Sequence, residues 1–265
     1  MTGEVRFERD AQDARIGWLT LAHGGKRNAI SRAIWRELGE RAAGLDALLP
    51  ALHAVIVRGE GDDFAAGADI VEFPAFRFDA ATLRDYHEGM VATALTALRG
   101  SDVPLVALIG GACIGGGLEV AACCDLRIAE RGARFGVPVA RLGFPMAPDE
   151  LAIVLAAVGR DTVAEMLLEA RLLDAATALQ RGLVQRVVDD AHAEARATAL
   201  RIADLPISVA RANKRSLRQL RRSAHWHVDE AERVAHFSYA DSAAHREGVA
   251  AFLAQRAPRF KGEAA

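Results

Sequence analysis

Glu119 stands among Leu118, Val120, Ala121, Ala122, Cys123 and Cys124, directly after the glycines Gly115, Gly116 and Gly117. A carboxylate in the first turn of so apolar a helix has no wet face to occupy, and burying it is costly unless it is paired or used. The plain alternative is a glutamate that complements the helix dipole. The apolar surroundings favour instead a general acid/base, which works best as a carboxyl with a displaced pKa. The glycines set backbone N–H groups at a helix N-terminus, where developing negative charge is stabilised. They match neither dinucleotide nor phosphate-loop spacing: Val120 stands three places after Gly117, and no lysine follows the run. Close backbone packing stays open as a third reading. The stretch GEGDDFAAGADI, Gly59–Ile70, follows an apolar run and contains Ala65, Ala66, Gly67 and Ala68 in succession. Small side chains there let a ligand approach the backbone and leave peptide N–H groups open to it. Alone, the stretch reads as an ordinary turn.

The elements around these stretches follow from hydrophobic periodicity. Val5–Phe7 and Ile16–Leu21 alternate as strands, while His53–Arg58, Pro104–Ile109 and Leu126–Ala129 are short continuous apolar runs of the buried kind. Ser31 precedes an amphipathic run, Ile34, Leu38, Ala42, Leu45 and Leu48, which predicts a helix with a serine N-cap. A helical stretch near Ala80–Leu98, a glycine-rich turn over Gly110–Gly117 and a short helix over Leu118–Cys124 complete the strand–helix order of an α/β domain. Strand signals end near Asp189, and Pro206 marks a helix start.

Composition sets the bounds. Apolar residues make up 51% of the 265, enough for a substantial core, and the net charge of −2 gives no global field for nucleic acid or an anionic membrane. Cys113, Cys123 and Cys124 lack the spacing of a zinc site or disulfide framework, and the first residues, Met1–Asp10, lack the apolar core of a signal peptide. With no apolar run of bilayer length, the expectation is a cytoplasmic protein. Arg211, Lys214, Arg215, Arg218, Arg221 and Arg222 share a helical face, read as solvated because acids follow from Asp229 to Glu232. His225, His227, His236 and His245 lack ligand-like spacing and read as surface or packing residues; Asp125 reads as a structural turn residue.

Together the stretches resemble the enoyl-CoA hydratase/isomerase (crotonase) family. The resemblance rests on KRNAIS at Lys26–Ser31, FAAGADI at Phe64–Ile70, GGGLE at Gly115–Glu119, ARFGVP at Ala133–Pro138 and the ending from Glu247, EGVAAFLAQRAPRFKG. It implies a crotonase-like spiral of ββα units over residues 1–200 that binds acyl-CoA. A helical region over 201–265 would build a homo-trimer, often paired into a hexamer. An acyl-CoA thioester carbonyl would lie between the amides of Ala68 and Gly116, each such donor lowering the barrier by roughly 3 kcal/mol. CoA contacts would come from Lys26, Arg27, Ala29, Ala66, Asp69 and Ile70, with Phe252 and Lys261 of the same or a neighbouring subunit at the nucleotide end. The segment Phe73–Tyr86, with Phe73, Phe76 and Phe78, would wall the acyl chain. No metal or redox cofactor is implied; CoA arrives as part of the substrate.

The pattern breaks at one place. Hydratases of the family carry two glutamates that hold and activate water. Glu119 matches the first, but the second position is Val139, and Met146 stands where a glycine is usual. Valine neither accepts a proton nor orients water. Double-bond isomerisation through Glu119, hydration or dehydration on one carboxyl, or replacement by Asp149 or Glu150 are then the open routes. In APDEL, Pro148 suits the first helical position and both acids suit the first turn, so helix-start acids are the preferred reading of this pair. A non-catalytic acyl-CoA or RNA-binding protein, or a decarboxylase or thioesterase of the same fold, are the alternatives. Retention of Glu119 and of both small-residue stretches speaks against the non-catalytic ones.

Overall fold

Short Val/Ile/Leu runs bounded by glycine, proline and polar turns become strands. The computed structural model describes residues 3–222, 234 and 237–259. Its strands are β1 (Glu4–Arg9), β2 (Ile16–Ala22), β3 (Ala54–Gly59), β4 (Leu105–Ile109), β5 (Ala112–Ile114), β6 (Leu126–Glu130), β7 (Arg134–Gly136), β8 (Leu173–Asp174) and β9 (Arg186–Val188). Six form one sheet in the order β1-β2-β3-β4-β6-β9, antiparallel only between β1 and β2. Every residue of β2 is buried, as expected where parallel strands are covered on both faces. One face packs on the main core and the other on helix Ala191–Ala203, whose Ala191, Ala195 and Ala199 meet Ile16, Ile56, Val106 and Ile128. The expected division at residue 200 falls inside this helix, which packs with the sheet.

One local expectation is corrected. The glycine-rich turn contains β5, which pairs in parallel with β7 to form a second, three-stranded sheet with β8. Three residues among glycines carry no readable period; pairing makes them a strand. The helical stretch expected near Ala80–Leu98 is present and continuous, with a π-helical turn Asp85–Val91 between helices Ala80–Arg84 and Ala92–Gly100. Ser31 caps helix Arg32–Gly44 as expected, its hydroxyl accepting from the Ile34 N–H at 3.2 Å. Cys113, Cys123 and Cys124 are free and buried. No helix among the described residues is long and apolar enough to cross a membrane.

The basic stripe of helix Ile207–Arg222 is not a solvated face. Arg215 Nε and Arg218 Nη2 donate to Asp102 at 2.7 and 2.8 Å, and Lys214 Nζ reaches the Val103 carbonyl at 2.6 Å and Asp125 at 2.8 Å. These cations fasten the helix to the entry of β4, where Asp125 also accepts from the Leu105 N–H at 2.7 Å. The side chains of Arg221 and Arg222, and the residues His225, His227, His236 and Asp229 to Glu232, lie outside the described residues. His245 is fully buried and packs against Phe78 and Phe144.

Asp102 offers a test of this fastening. Its carboxyl is held down to about 2, chiefly by the hydrogen bond from Arg215, with Arg218 adding to it against the cost of burial. A depressed carboxyl pKa contributes stability that is full above the ordinary value and is lost as pH falls through about 2. With Arg215 half exposed, we expect Asp102→Asn to cost about 1–2 kcal/mol at neutral pH. Urea melts should show that deficit shrinking from pH 5 to pH 2.5; an unchanged midpoint at pH 7 would contradict it.

Candidate active site

The two small-residue stretches lie side by side because backbone hydrogen bonds join them. Ala65 N–H donates to Ala112 O at 2.8 Å, Ile114 N–H to Ala65 O at 3.0 Å, and Gly115 N–H to Gly136 O at 2.9 Å. Asp63 reinforces the junction, accepting from Ala112 N–H at 2.7 Å and from both Nε and Nη2 of Arg27 at 2.8 Å. Glycine is required here for two separate reasons. Gly115 has φ 51° and ψ −119°, a region closed to other side chains. A Cβ on Gly117 would stand 2.5 Å from the Ala65 carbonyl oxygen. Among the described residues, neither the Ala68 nor the Gly116 N–H donates to a backbone carbonyl. Both residues line one cavity of about 880 Å³.

The same cavity gathers Lys26, Arg27, Ala29, Ala66, Asp69, Ile70 and Phe252, together with Glu119. Lys261 lies outside the described residues. The cations at the mouth have acidic partners: Lys26 Nζ is 2.6 Å from Asp69 Oδ2, and Arg27 is held by Asp63. Phe73 and Tyr86 wall the interior, whereas Phe76 and Phe78 do not reach it. Phe76 stacks on Tyr86, and Phe78 lies against His245 with the Arg246 guanidinium over its ring. The Tyr86 hydroxyl accepts from Trp35 Nε1 at 3.0 Å.

Val139, Pro138 and Met146 form an apolar part of the wall. A second carboxyl reaches the cavity from elsewhere. Glu150, 5% exposed, enters from the first turn of helix Pro148–Val158, while its neighbour Asp149 faces solvent. Both acids stand in the first turn as expected for helix-start residues, Asp149 towards solvent and Glu150 towards the cavity. Glu150 shares its helix face with the buried Ile153 and Val154, at i+3 and i+4. That apolar stripe was present in the sequence as a signal that the acid points inward.

Two further residues escaped the sequence reading. His87 Nδ1 lies 2.6 Å from Glu150 Oε1, and its Nε2 lies 2.9 Å from Arg77 Nη2. Arginine can only donate, so Nε2 accepts and the ring proton resides on Nδ1, directed at Glu150. The chain of donors runs from Arg77 through a neutral His87 to the carboxylate. Burial, reinforced by the Arg77 charge, holds the His87 pKa well below that of a free imidazole. The placement follows helical spacing: Tyr86 and His87 stand three and four residues after the buried Leu83 and share the inward face with Val91, within the π-helical turn Asp85–Val91.

The carboxyls have displaced pKa values. Burial pushes Glu119 well up, the negative charge of Glu150 pushes it further, and Arg77 opposes both. Burial likewise raises Glu150, to about 8, with Arg77 opposing and Asp149 adding. The pair therefore holds a proton around neutrality. With His87 donating to Glu150, the ionised state is favoured there and the protonated state on Glu119.

These features can be set beside known proteins. The profile described as "Enoyl-CoA hydratase/isomerase" matches residues 11–263. A Mycobacterium tuberculosis protein named "Probable enoyl-CoA hydratase echA8" is 35% identical over 254 residues, covering 94% of this chain and 95% of that one. A crystal structure of an enoyl-CoA hydratase/carnithine racemase from Magnetospirillum magneticum superposes with a TM-score of 0.79 at 37% identity, covering 98% of this chain and 96% of that one. A methylmalonyl-CoA decarboxylase superposes with a TM-score of 0.84 at 23% identity, over 98% of each chain, a likeness of fold alone.

The tautomer of His87 is directly measurable. Because its pKa is lowered, the ring should stay neutral and carry its proton on Nδ1 throughout pH 5–8. Nitrogen-15 NMR of selectively labelled protein should show one protonated and one accepting ring nitrogen over that range. An imidazolium signal appearing near pH 6 would contradict the arrangement.

Proposed function

The chain belongs to the enoyl-CoA hydratase/isomerase family, and we propose that it interconverts a 2-enoyl-CoA and its 3-hydroxyacyl-CoA with Glu119 and Glu150 as the acid/base pair. The observation that carries this reading is the second buried carboxyl, Glu150, facing the cavity that also holds Glu119. It supplies from an α-helix what Val139 does not supply from the preceding 3-10 turn, Val139–Leu142.

In this mechanism the thioester carbonyl oxygen accepts from the Ala68 and Gly116 N–H groups. A water lies between the carboxyls; Glu150 takes one of its protons as the hydroxyl adds to the β carbon. Electron density moves onto the thioester oxygen, where fixed backbone donors stabilise the enolate without reorganising. Glu119 then delivers its proton to the α carbon and the carbonyl reforms. Glu150 ends protonated and Glu119 ionised, and a proton passed back between them, or through solvent, resets the pair. CoA enters and leaves with the acyl group, its path marked by Lys26, Arg27, Ala29, Ala66, Asp69, Ile70 and Phe252. Assembly into trimers or hexamers belongs to the same proposal. Its support is the exposed apolar side chains Leu205, Val209 and Leu217 in the C-terminal region.

Double-bond isomerisation is the second reading, favoured by Val139 in the wall. Proton NMR of crotonyl-CoA and longer enoyl-CoAs in deuterated water separates the two. Hydration gives a 3-hydroxyl product, and Glu119→Gln and Glu150→Gln should each lower its rate by about 10²–10⁴-fold. Deuterium entering the α or γ carbon without a hydroxyl product, undiminished in Glu150→Gln, would replace hydration by isomerisation.

The pH profile is a further check. Glu150 serves as base when ionised, so kcat/KM should rise with pH, reach half its plateau near pH 8 and level off above it. That limb should vanish in Glu150→Gln. A native profile flat from pH 6 to 9 would remove Glu150 from the role of base.

A further inference from the structure

The acyl cavity contains a charge that the hydration steps leave unspent. Arg77 is 3% exposed and lies in the cavity wall. Its guanidinium carbon stands 4.3 Å from the centre of the Phe73 ring and 4.1 Å from that of Phe144. The rings offset part of the cost of removing the cation from water, but they satisfy none of its in-plane N–H groups. One Nη2 hydrogen goes to His87. Nε and Nη1 are buried with no hydrogen-bond partner, and among the described residues no carboxylate pairs with this guanidinium. Glu150 is held by His87 instead, and Glu119 also stays outside ion-pair distance.

Other arginines of this chain are spent: Arg27 on Asp63, Arg196 on Asp10, and Arg215 and Arg218 on Asp102. A buried guanidinium with unmet donors is destabilising unless an acceptor arrives. Whichever Nη2 hydrogen is given to His87, the other completes a two-donor edge with Nη1 or with Nε. A planar oxyanion fits such an edge with two parallel hydrogen bonds. A hydroxyl or ketone on the acyl chain would meet one donor and leave the charge unpaired.

We propose that Arg77 receives a carboxylate borne by the acyl group, so that the substrates are CoA thioesters of dicarboxylic acids rather than of simple fatty acids. This rests on the reading that the cavity holds the acyl part of a CoA thioester, with its carbonyl at Ala68 and Gly116. The carboxylate takes no part in bond making. It docks, and the anchored chain is aligned past Glu119 and Glu150.

Calorimetric titration of the native protein tests this apart from turnover. Malonyl-, succinyl-, glutaryl- and adipoyl-CoA are compared with the neutral thioesters of the same carbon count. At least one diacid should bind about tenfold or more tightly than its neutral counterpart. In Arg77→Met that preference should fall to within about threefold, and Arg77→Lys, which keeps the charge but not the two-donor edge, should fall between. If neutral thioesters bind as well as or better than every diacid, or if the preference survives in Arg77→Met, the inference is overturned while the hydratase reading stands. Binding of no CoA thioester at all would overturn both. Should Arg77→Met fail to fold, the native comparison and Arg77→Lys still decide.

Discussion

Everything at this site depends on keeping acids and a guanidinium in a cavity whose wall is mostly hydrocarbon. Burial alone favours neutral forms of Glu119, Glu150 and His87. Arg77 cannot become neutral, so it acts as the permanent charge against which the others adjust. It lowers both carboxyl pKa values that burial raises, and it forces His87 to be neutral and to donate towards Glu150. Remove the cation and both carboxyls are drawn further to the neutral form. In the proposed hydration their unequal surroundings, with His87 donating to Glu150 alone, assign Glu150 as base and Glu119 as acid.

The second constraint is geometric and concerns the backbone. Peptide N–H groups can stabilise an oxyanion only if they are not already donating and if no side chain bars the approach. Sheet-like bonds of Ala65 with Ala112 and Ile114 bring the two stretches together, yet leave Ala68 and Gly116 out of the pairing. Gly115 supplies a backbone conformation, Gly117 the close approach to Ala65, and Gly116 avoids Trp35, whose ring would lie 2.9 Å from an added Cβ. The glycine run is thus set by packing, and the same packing leaves the Gly116 N–H at the cavity, so close packing and anion stabilisation do not exclude each other here.

What was legible in the sequence was local. Buried strands announced themselves as apolar runs, Ser31 as a cap, and Glu119 as an acid with no wet face on its helix. Glu150 was legible in principle, through Ile153 and Val154 on its face, but the rules for helix starts explained it equally well. His87 shares a helix face with Leu83 and Val91, a pattern that an ordinary core histidine explains equally well, and Arg77 in FPAFRF offered no signal until the Phe73 and Phe144 rings close on it. Strand β5 was hidden for a similar reason, since its strand character comes from β7 and Ala65 rather than from its own three residues.

In the proposed hydration the second carboxyl comes from an α-helix rather than from the short 3-10 turn Val139–Leu142, and Glu150 is fixed by a helix that begins with proline and buries Ile153 and Val154 beneath it. The N-terminal dipole favours the ionised form and so works against burial. The exposed Asp149 beside it works with burial, because a like charge disfavours ionisation. Glu150 consequently sits between opposing influences rather than at either extreme, the condition that the proposed hydration sets for its base. Val139 closes the wall with apolar surface. The acyl group is then left with Arg77 as the fixed charge in an otherwise apolar enclosure.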